Sequence, residues 1–343
     1  MSVRAWMSVV TFVLIGVIVF FSRHELLHAF HLLGQVNLWI LALLIPVQLL
    51  MYYSGGEMMF AYLRAKKATE HISPLAQARM ALELNFVNHV LPSAGVSGMS
   101  YMSWRLGRYH VPAGRTTMAQ VVRFATGYAS FITLLMIAVL LVTIDGQLNR
   151  WIILVSTTLV VLMVTFFGLT IYLISSTKRM NAFSDWAAKT ANHLVWRLTG
   201  GRKRVVLRAD QMKKFFADMH HDYLELMKDK KLLIRPYLWG LIFTLTDIGV
   251  FWVTFWALGQ PVNPAPILIA YGVATMAGFV MVTPGGAGAY EALMVAFLAI
   301  AGLDQGTAIA GTVLTRVILL MTTIIFGYLF YQHALIKYGR NKK

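Results

Sequence analysis

The chain has 343 residues, 58% of them hydrophobic and only 13% charged, which excludes a soluble enzyme built round one large core. Thirty Lys and Arg against 14 Asp and Glu give a net charge of +16. In so apolar a chain the excess reports membrane orientation and contact with anionic headgroups, not nucleic acid, for which no recognition motif is present. Cysteine is absent, so disulfides and thiolate metal sites are excluded as well.

Apolar runs near the ~20 residues needed to cross a ~30 Å hydrocarbon core recur along the chain. Residues 5–21 form the first, read as an uncleaved signal-anchor because 22–35 carries Arg23 and no small-residue cleavage pattern. The run 36–54 returns, kinked by Pro46, and 57–79, with Arg64, Lys66, Lys67 and Arg79, reads as a cytoplasmic loop. Met80 to Leu91 is too short to span and breaks at Pro92; with the segment ending at Arg105 and Arg108 it reads as a re-entrant hairpin, 80–108. Residues 116–144 and 151–174 are full spans joined by a short external turn.

The region 176–236 is basic and amphipathic, and reads as cytoplasmic, with an interfacial helix laying Met212, Phe215, Phe216 and Met219 on lipid, or packed on the bundle. His220 and His221, between Asp218 and Asp222, read as a solvated face of it. Residues 237–258 cross outward, 265–303 form a second hairpin broken at Pro284, and 306–336 return the C-terminus to the cytoplasm. The membrane halves are therefore 1–175 and 237–343. This orientation places 26 of the 30 basic residues on the cytoplasmic side, with both termini there.

The two hairpins look alike. Phe86-Val87 precedes Pro92 and Phe279-Val280 precedes Pro284, each proline opens a small-residue loop, and an intramembrane arginine follows, Arg123 or Arg316. Opposite entry sides for similar units predict an inverted repeat with substrate near the bilayer midplane. Unwound backbone at Pro284, Gly285, Gly286 and Gly288 must face protein or a hydrated cavity, and glycine lets a headgroup approach it. Pro92, Ser93 and Gly95, with Asn85 and Asn88 before them, form the matching break. An ionised residue at mid-membrane costs about 2.5–3.5 kcal/mol, so Asp247, Glu291, Arg123 and Arg316 should pair or line water. The expected pairs are Arg316 with Glu291 or Asp247, and Arg123 with Glu83; Arg105 joins the set at the end of the first hairpin. The arginines would bind a lipid phosphate.

The segments Asn85-Phe86-Val87-Asn88-His89-Val90-Leu91-Pro92-Ser93-Ala94-Gly95 and Thr283-Pro284-Gly285-Gly286-Ala287-Gly288-Ala289-Tyr290-Glu291, with Arg316, resemble the signature regions of the lysylphosphatidylglycerol synthase/flippase transmembrane family. The resemblance covers almost the whole chain. It implies a flippase-like module that moves a polar lipid, anionic or aminoacylated, between leaflets. Because the chain ends at Lys343, it implies no aminoacyltransferase domain and no enzyme activity. Where relatives often carry a Glu after the first loop, this sequence has Val96-Ser97-Gly98-Met99-Ser100.

A competing motif is His24-Glu25-Leu26-Leu27-His28, which fits H-E-x-x-H and on a helix puts two imidazoles on one face for zinc. A zinc protease would need a third ligand, for which Ile144-Asp145-Gly146 is a poor match. A non-catalytic membrane scaffold is the other alternative. No G-x-x-x-x-G-K-[ST] is present, so ATP is not the expected direct energy source. The expectation is an all-α polytopic inner- or plasma-membrane protein of about six spans plus two opposed re-entrant hairpins. Its expected partners are membrane phospholipids, with a second copy or a lipid-modifying enzyme as further candidates, and no cofactor.

Overall fold

The computed structural model describes residues 27, 31–34, 36–90, 96–144, 150–198, 209–280 and 288–338. Every regular element among the described residues is a helix. Asn37 caps α1 (Leu38–Ala42), its side chain accepting from the amides of Trp39 and Ile40. The helix stops at Ala42 and resumes as α2 (Leu44–Ala65). Pro46 explains the break: it has no N–H to offer the Ala42 carbonyl, and its ring crowds that group.

α2 runs beyond the expected end at residue 54, and α3 (Pro74–Val90) begins before the expected Met80. Arg64 and Arg79 therefore lie on helices, and the connection expected over 57–79 shrinks to 66–73. The helix tolerates Arg64 because Glu57, a turn and more earlier, and Gln77 on α3 both accept from its guanidinium. Pro74 at the first helical position and the Ser73 hydroxyl, accepting from the Ala76 amide, start α3.

α4 (Val96–Gly107) returns beside α3, followed by α5 (Ala113–Ile144) and α6 (Arg150–Ile174). Two amphipathic helices, α7 (Thr177–Leu198) and α8 (Ala209–Lys228), pack on each other, and α8 packs on the Ala113 end of α5. A 3-10 turn, Lys230–Leu233, leads into α9 (Ile234–Ala257), then α10 (Pro264–Val280), α11 (Ala289–Ile300) and α12 (Gln305–Tyr338). Among the described residues five helices are long and apolar enough to cross a membrane: Leu38–Ala65, Ala113–Leu141, Thr157–Ile174, Lys230–Ala257 and Gln305–Tyr338. Residues 5–21, expected as a sixth span, lie outside the described residues.

The series α2, α3, α4, α5 matches α9, α10, α11, α12 element by element. The hairpin arms have identical lengths, 17 and 12 residues, in both series. Contacts match too. α2 and α9 form the most extensive helix pair; α3 packs on α12 of the other series, and α10 on α5. At about 1.5 Å per residue the arms rise about 25 and 18 Å, less than the hydrocarbon thickness.

Without a hydrophobic drive between helices in lipid, close backbone approach at small residues holds such a bundle. Gly327 on α12 lies against Phe86 of α3, and Gly272 on α10 against Phe131 of α5, so both cross-series contacts use one glycine and one phenylalanine. A Cβ at Gly327 would stand 2.4 Å from the Phe86 Cβ and 3.3 Å from the Leu82 carbonyl, atoms that cannot swing away. Gly327→Ala is therefore expected to destabilise by about 1–3 kcal/mol. Gly168→Ala on the outer face of α6, where a Cβ meets nothing within 4 Å, should be neutral. Thermal unfolding of the two variants in detergent compares them directly.

Candidate functional site

The site is built where the second hairpin turns back into the bundle. Gly288 takes φ +89 at the N-cap of α11, a conformation that L side chains resist. Its amide donates to Glu291 Oε2 at 2.6 Å, while Arg316 Nε donates to Glu291 Oε1 at 2.7 Å. One carboxylate thus ties the start of α11 to the middle of α12. The Arg316 guanidinium also lies 4.3 Å from the Tyr290 ring centroid, a cation-π contact that helps hold a charge away from water.

Three further elements bring polar groups to this pair. Asp247, buried on α9, accepts from the Tyr271 hydroxyl of α10 and feels the Arg316 charge. On α2, the Gln48 amide donates to Tyr52 at 2.5 Å, and the Tyr52 hydroxyl meets Thr323 of α12 at 2.6 Å. From α3, Asn85 lies beside Tyr52, and His89 lies within reach of the Arg316 charge, its Nδ1 2.9 Å from the Asn85 carbonyl oxygen. The Asn85 Nδ2 and Asn88 Oδ1 atoms are buried with no hydrogen-bond partner among the described residues. The end of α3 and the start of α11 therefore converge on a polar centre inside the bundle.

Tyr271 is also a wall. Behind it lies a cavity of about 190 Å³ lined by Arg123 and Phe131 of α5, Met58 of α2, Met163 of α6, Phe243 of α9 and Tyr271 itself. The lining is mostly apolar. Among the described residues no carboxylate lies within ion-pair distance of Arg123, which faces this space. The expected Arg123 to Glu83 pair does not form. Glu83 instead accepts from Arg105 Nε at 3.1 Å and the Tyr101 hydroxyl at 2.8 Å, closing α4 onto α3. Arg105 is buried there, its guanidinium 4.0 Å from the Tyr338 ring centroid, because α4 presents positions 101 and 105 to the same side of α3.

The structure thus brings Asn85, Asp247, Gly288, Glu291 and Arg316 to one centre, sets Arg123 in an adjoining cavity and places Arg105 in a separate buried ion pair. Pro92, Ser93, Gly95, Pro284, Gly285 and Gly286 lie outside the described residues, as do His24, Glu25, His28 and Asp145. Sequence reasoning missed Tyr52, His89, Tyr271 and Tyr290. A hydroxyl in an otherwise apolar span was the available signal, since a buried tyrosine O–H needs a partner.

The basic region is less solvated than expected. His220 Nδ1 lies 2.7 Å from the Ile174 carbonyl oxygen, and Asp222 is buried with Arg115 3.9 Å away. The side chains of Met212, Phe215, Phe216 and Met219 lie outside the described residues. His221, Asp222 and Glu225 group closely enough to suggest a metal site, but their carboxylates are engaged. Lys66 donates to Glu225 at 2.8 Å and holds it below the usual carboxylate range, while burial pushes Asp222 above its own.

If Glu291 acts both as a cap and as the partner of Arg316, the two contributions separate. A Glu291→Gln, Arg316→Gln double-mutant cycle should give a coupling energy of about 1–3 kcal/mol in thermal or chemical unfolding. Glu291→Ala, which removes cap and ion pair together, should destabilise more than Arg316→Gln.

Comparison with known proteins agrees with this architecture. A "UPF0104 membrane protein" of Methanothermobacter thermautotrophicus is 23% identical over 249 residues, 72% of this chain and 70% of the relative. No solved structure matches the chain. The family model described as the lysylphosphatidylglycerol synthase TM region matches residues 6–327, nearly the full length, and the chain belongs to that family.

Proposed function

We propose that this protein moves a polar phospholipid, anionic or aminoacylated, between the leaflets of a cell membrane, with no covalent chemistry on the lipid. Family membership supports a lipid role for the membrane domain. The observation that carries the reading is Arg123, a guanidinium facing a mostly apolar cavity with no carboxylate in ion-pair range among the described residues. An uncompensated charge in the bilayer is unfavourable by several kcal/mol, so such a group is retained for what it binds. A lipid phosphate completes it bidentately, and Phe131, Met163 and Phe243 accept the first methylenes.

In this reading both hairpins are re-entrant and opposed, the termini and α7–α8 face the cytoplasm, and the chain alternates access around the centre between the hairpins. Arg316, already neutralised by Glu291, acts with Asp247 as a second polar station on the far side of Tyr271. Phospholipids are the expected partners, with nucleic acid and bound cofactors playing no part.

Arg123→Leu separates function from folding. It removes an unpaired charge from an apolar site, so the variant should unfold at the same or a higher temperature. Leaflet transfer of a fluorescent phosphatidylglycerol in proteoliposomes should nevertheless fall at least about tenfold, the loss expected for one charge-assisted contact. Lys189→Gln, exposed on α7, is the control that should leave transfer unchanged. Unimpaired transfer in Arg123→Leu would refute the proposal.

A further inference from the structure

On the other side of the α2 to α9 seam from the Arg123 cavity lies a second recess, a cleft of about 500 Å³. Adjacent residues divide between the two. Met58 and Phe243 face the cavity, whereas Glu57 and Ile242 face the cleft. Gly55, between the cleft residues Tyr53 and Glu57, lies on the cavity side: a Cβ there would stand 3.1 Å from the Phe243 ring and 3.9 Å from Arg123 Nη2.

The cleft has an ordered chemistry along α9. Arg235, in the first turn, lies at its mouth, exposed and with no acidic group in ion-pair range among the described residues. One turn further in, Leu238 and Trp239 lie at one level, Trp239 edge-on to Tyr53 of α2 at 5.5 Å, and Ile242 follows with apolar surface. Arg64, on the opposite rim, is already held by Glu57 and Gln77, so the cleft keeps one net positive charge, from Arg235. Cation, then aromatic belt, then aliphatic wall is the sequence of environments that a phospholipid presents as phosphate, glycerol and acyl chain.

We infer that this cleft binds the phosphate headgroup of an anionic phospholipid, drawn from the leaflet on the side of α7 and α8, with Arg235 as its ligand. The inference rests on the lipid-transport reading for its purpose, making the cleft the loading station one side chain away from the Arg123 cavity. Its chemistry stands without that reading. A surface arginine that merely anchors the helix draws anionic lipids diffusely; a cleft that holds one unneutralised guanidinium together with an aromatic pair retains a phosphate-bearing lipid of net negative charge through purification.

The full chain, purified into nanodiscs of equal phosphatidylglycerol and phosphatidylcholine, is released into the mass spectrometer and its retained lipids counted. The wild type and the exposed control Lys189→Gln should retain phosphatidylglycerol preferentially. Arg235→Gln should lose that preference by at least about fivefold, and Arg235→Lys should recover part of it. Arg235 makes no contact that folding depends on, and an unchanged unfolding temperature for both variants checks this. Equal retention in Arg235→Gln overturns the inference. So does displacement of the retained lipid by millimolar inorganic phosphate, which would identify a free-anion site instead. Retention is read without any transport step, so a failure of leaflet transfer with retention intact counts against the translocation reading alone.

Discussion

Everything in this bundle is arranged around the difficulty of holding charge in hydrocarbon. Each acidic or basic group that the chain carries into its interior is met by a small set of partners. Glu83 has Arg105 and Tyr101; Glu291 has Arg316 and the Gly288 amide; Asp247 has Tyr271. Tyrosine recurs because it supplies a hydroxyl on an apolar body, satisfying a carboxylate without adding a second charge. Arginine recurs because its planar face stacks on rings while its edge donates, as Arg316 does on Tyr290 and Arg105 on Tyr338. Against this pattern Arg123 stands out, since the mostly apolar groups that share its cavity offer hydroxyls, such as those of Thr244 and Thr275, but among the described residues no carboxylate.

The repeat explains why one arginine is left open. Arg123 is the eleventh residue of α5 and Arg316 the twelfth of α12, so the two occupy nearly the same level in matching helices. Glu57 and Asp247 are each the fourteenth residue of α2 and α9. The third residue of α11 is Glu291, the partner of Arg316; the third residue of α4 is Gly98. Gly98 is there for packing: a Cβ would fall 2.0 Å from Asn88 Oδ1 and 2.8 Å from Leu84. A carboxylate at that position would have to push both side-chain ends aside, and with glycine in its place the first series lacks the group that neutralises the second.

Much of this was legible in the sequence. Hydropathy located four of the long apolar helices to within a few residues because lipid exposure demands an unbroken apolar run, and Pro46 marked a break that falls at the carbonyl it cannot satisfy. The start of α3 was not legible. Arg64 and Arg79 read as loop residues, and only the side chains of Glu57 and Gln77, brought near by the fold, allow a helix to carry Arg64 into the bundle. Pairing was legible where the partners flank one turn of chain, as Glu291 and Arg316 flank the α11 to α12 connection. It failed for Glu83 because several arginines, Arg79, Arg105, Arg108, Arg115 and Arg123 among them, lay within range by sequence and only the rotation of α4 selects Arg105. The hydroxyls of Tyr52 and Tyr271 were invisible as site residues for a related reason: composition counts them as aromatic, and their polarity matters only once Thr323 and Asp247 stand opposite.

A pathway for a charged headgroup must bind it firmly enough to draw it from the interface and weakly enough to release it beyond the midplane. Two fully neutralised arginines would offer a phosphate little, and two open ones would hold it. The asymmetry between the series supplies the intermediate condition. Arg123 attracts, while Arg316 can engage an anion only by sharing its donors with Glu291, so the second station is weaker than the first. Tyr271 is hydrogen-bonded to Asp247 on one side and lines the Arg123 cavity on the other, so in the proposed transport route it would be the partition that a headgroup displaces. Moving that one ring exposes Asp247 to whatever occupies the cavity. A headgroup carrying an ammonium beside its phosphate would then meet a carboxylate at the moment it leaves the guanidinium, and the barrier between stations falls by the interaction it gains.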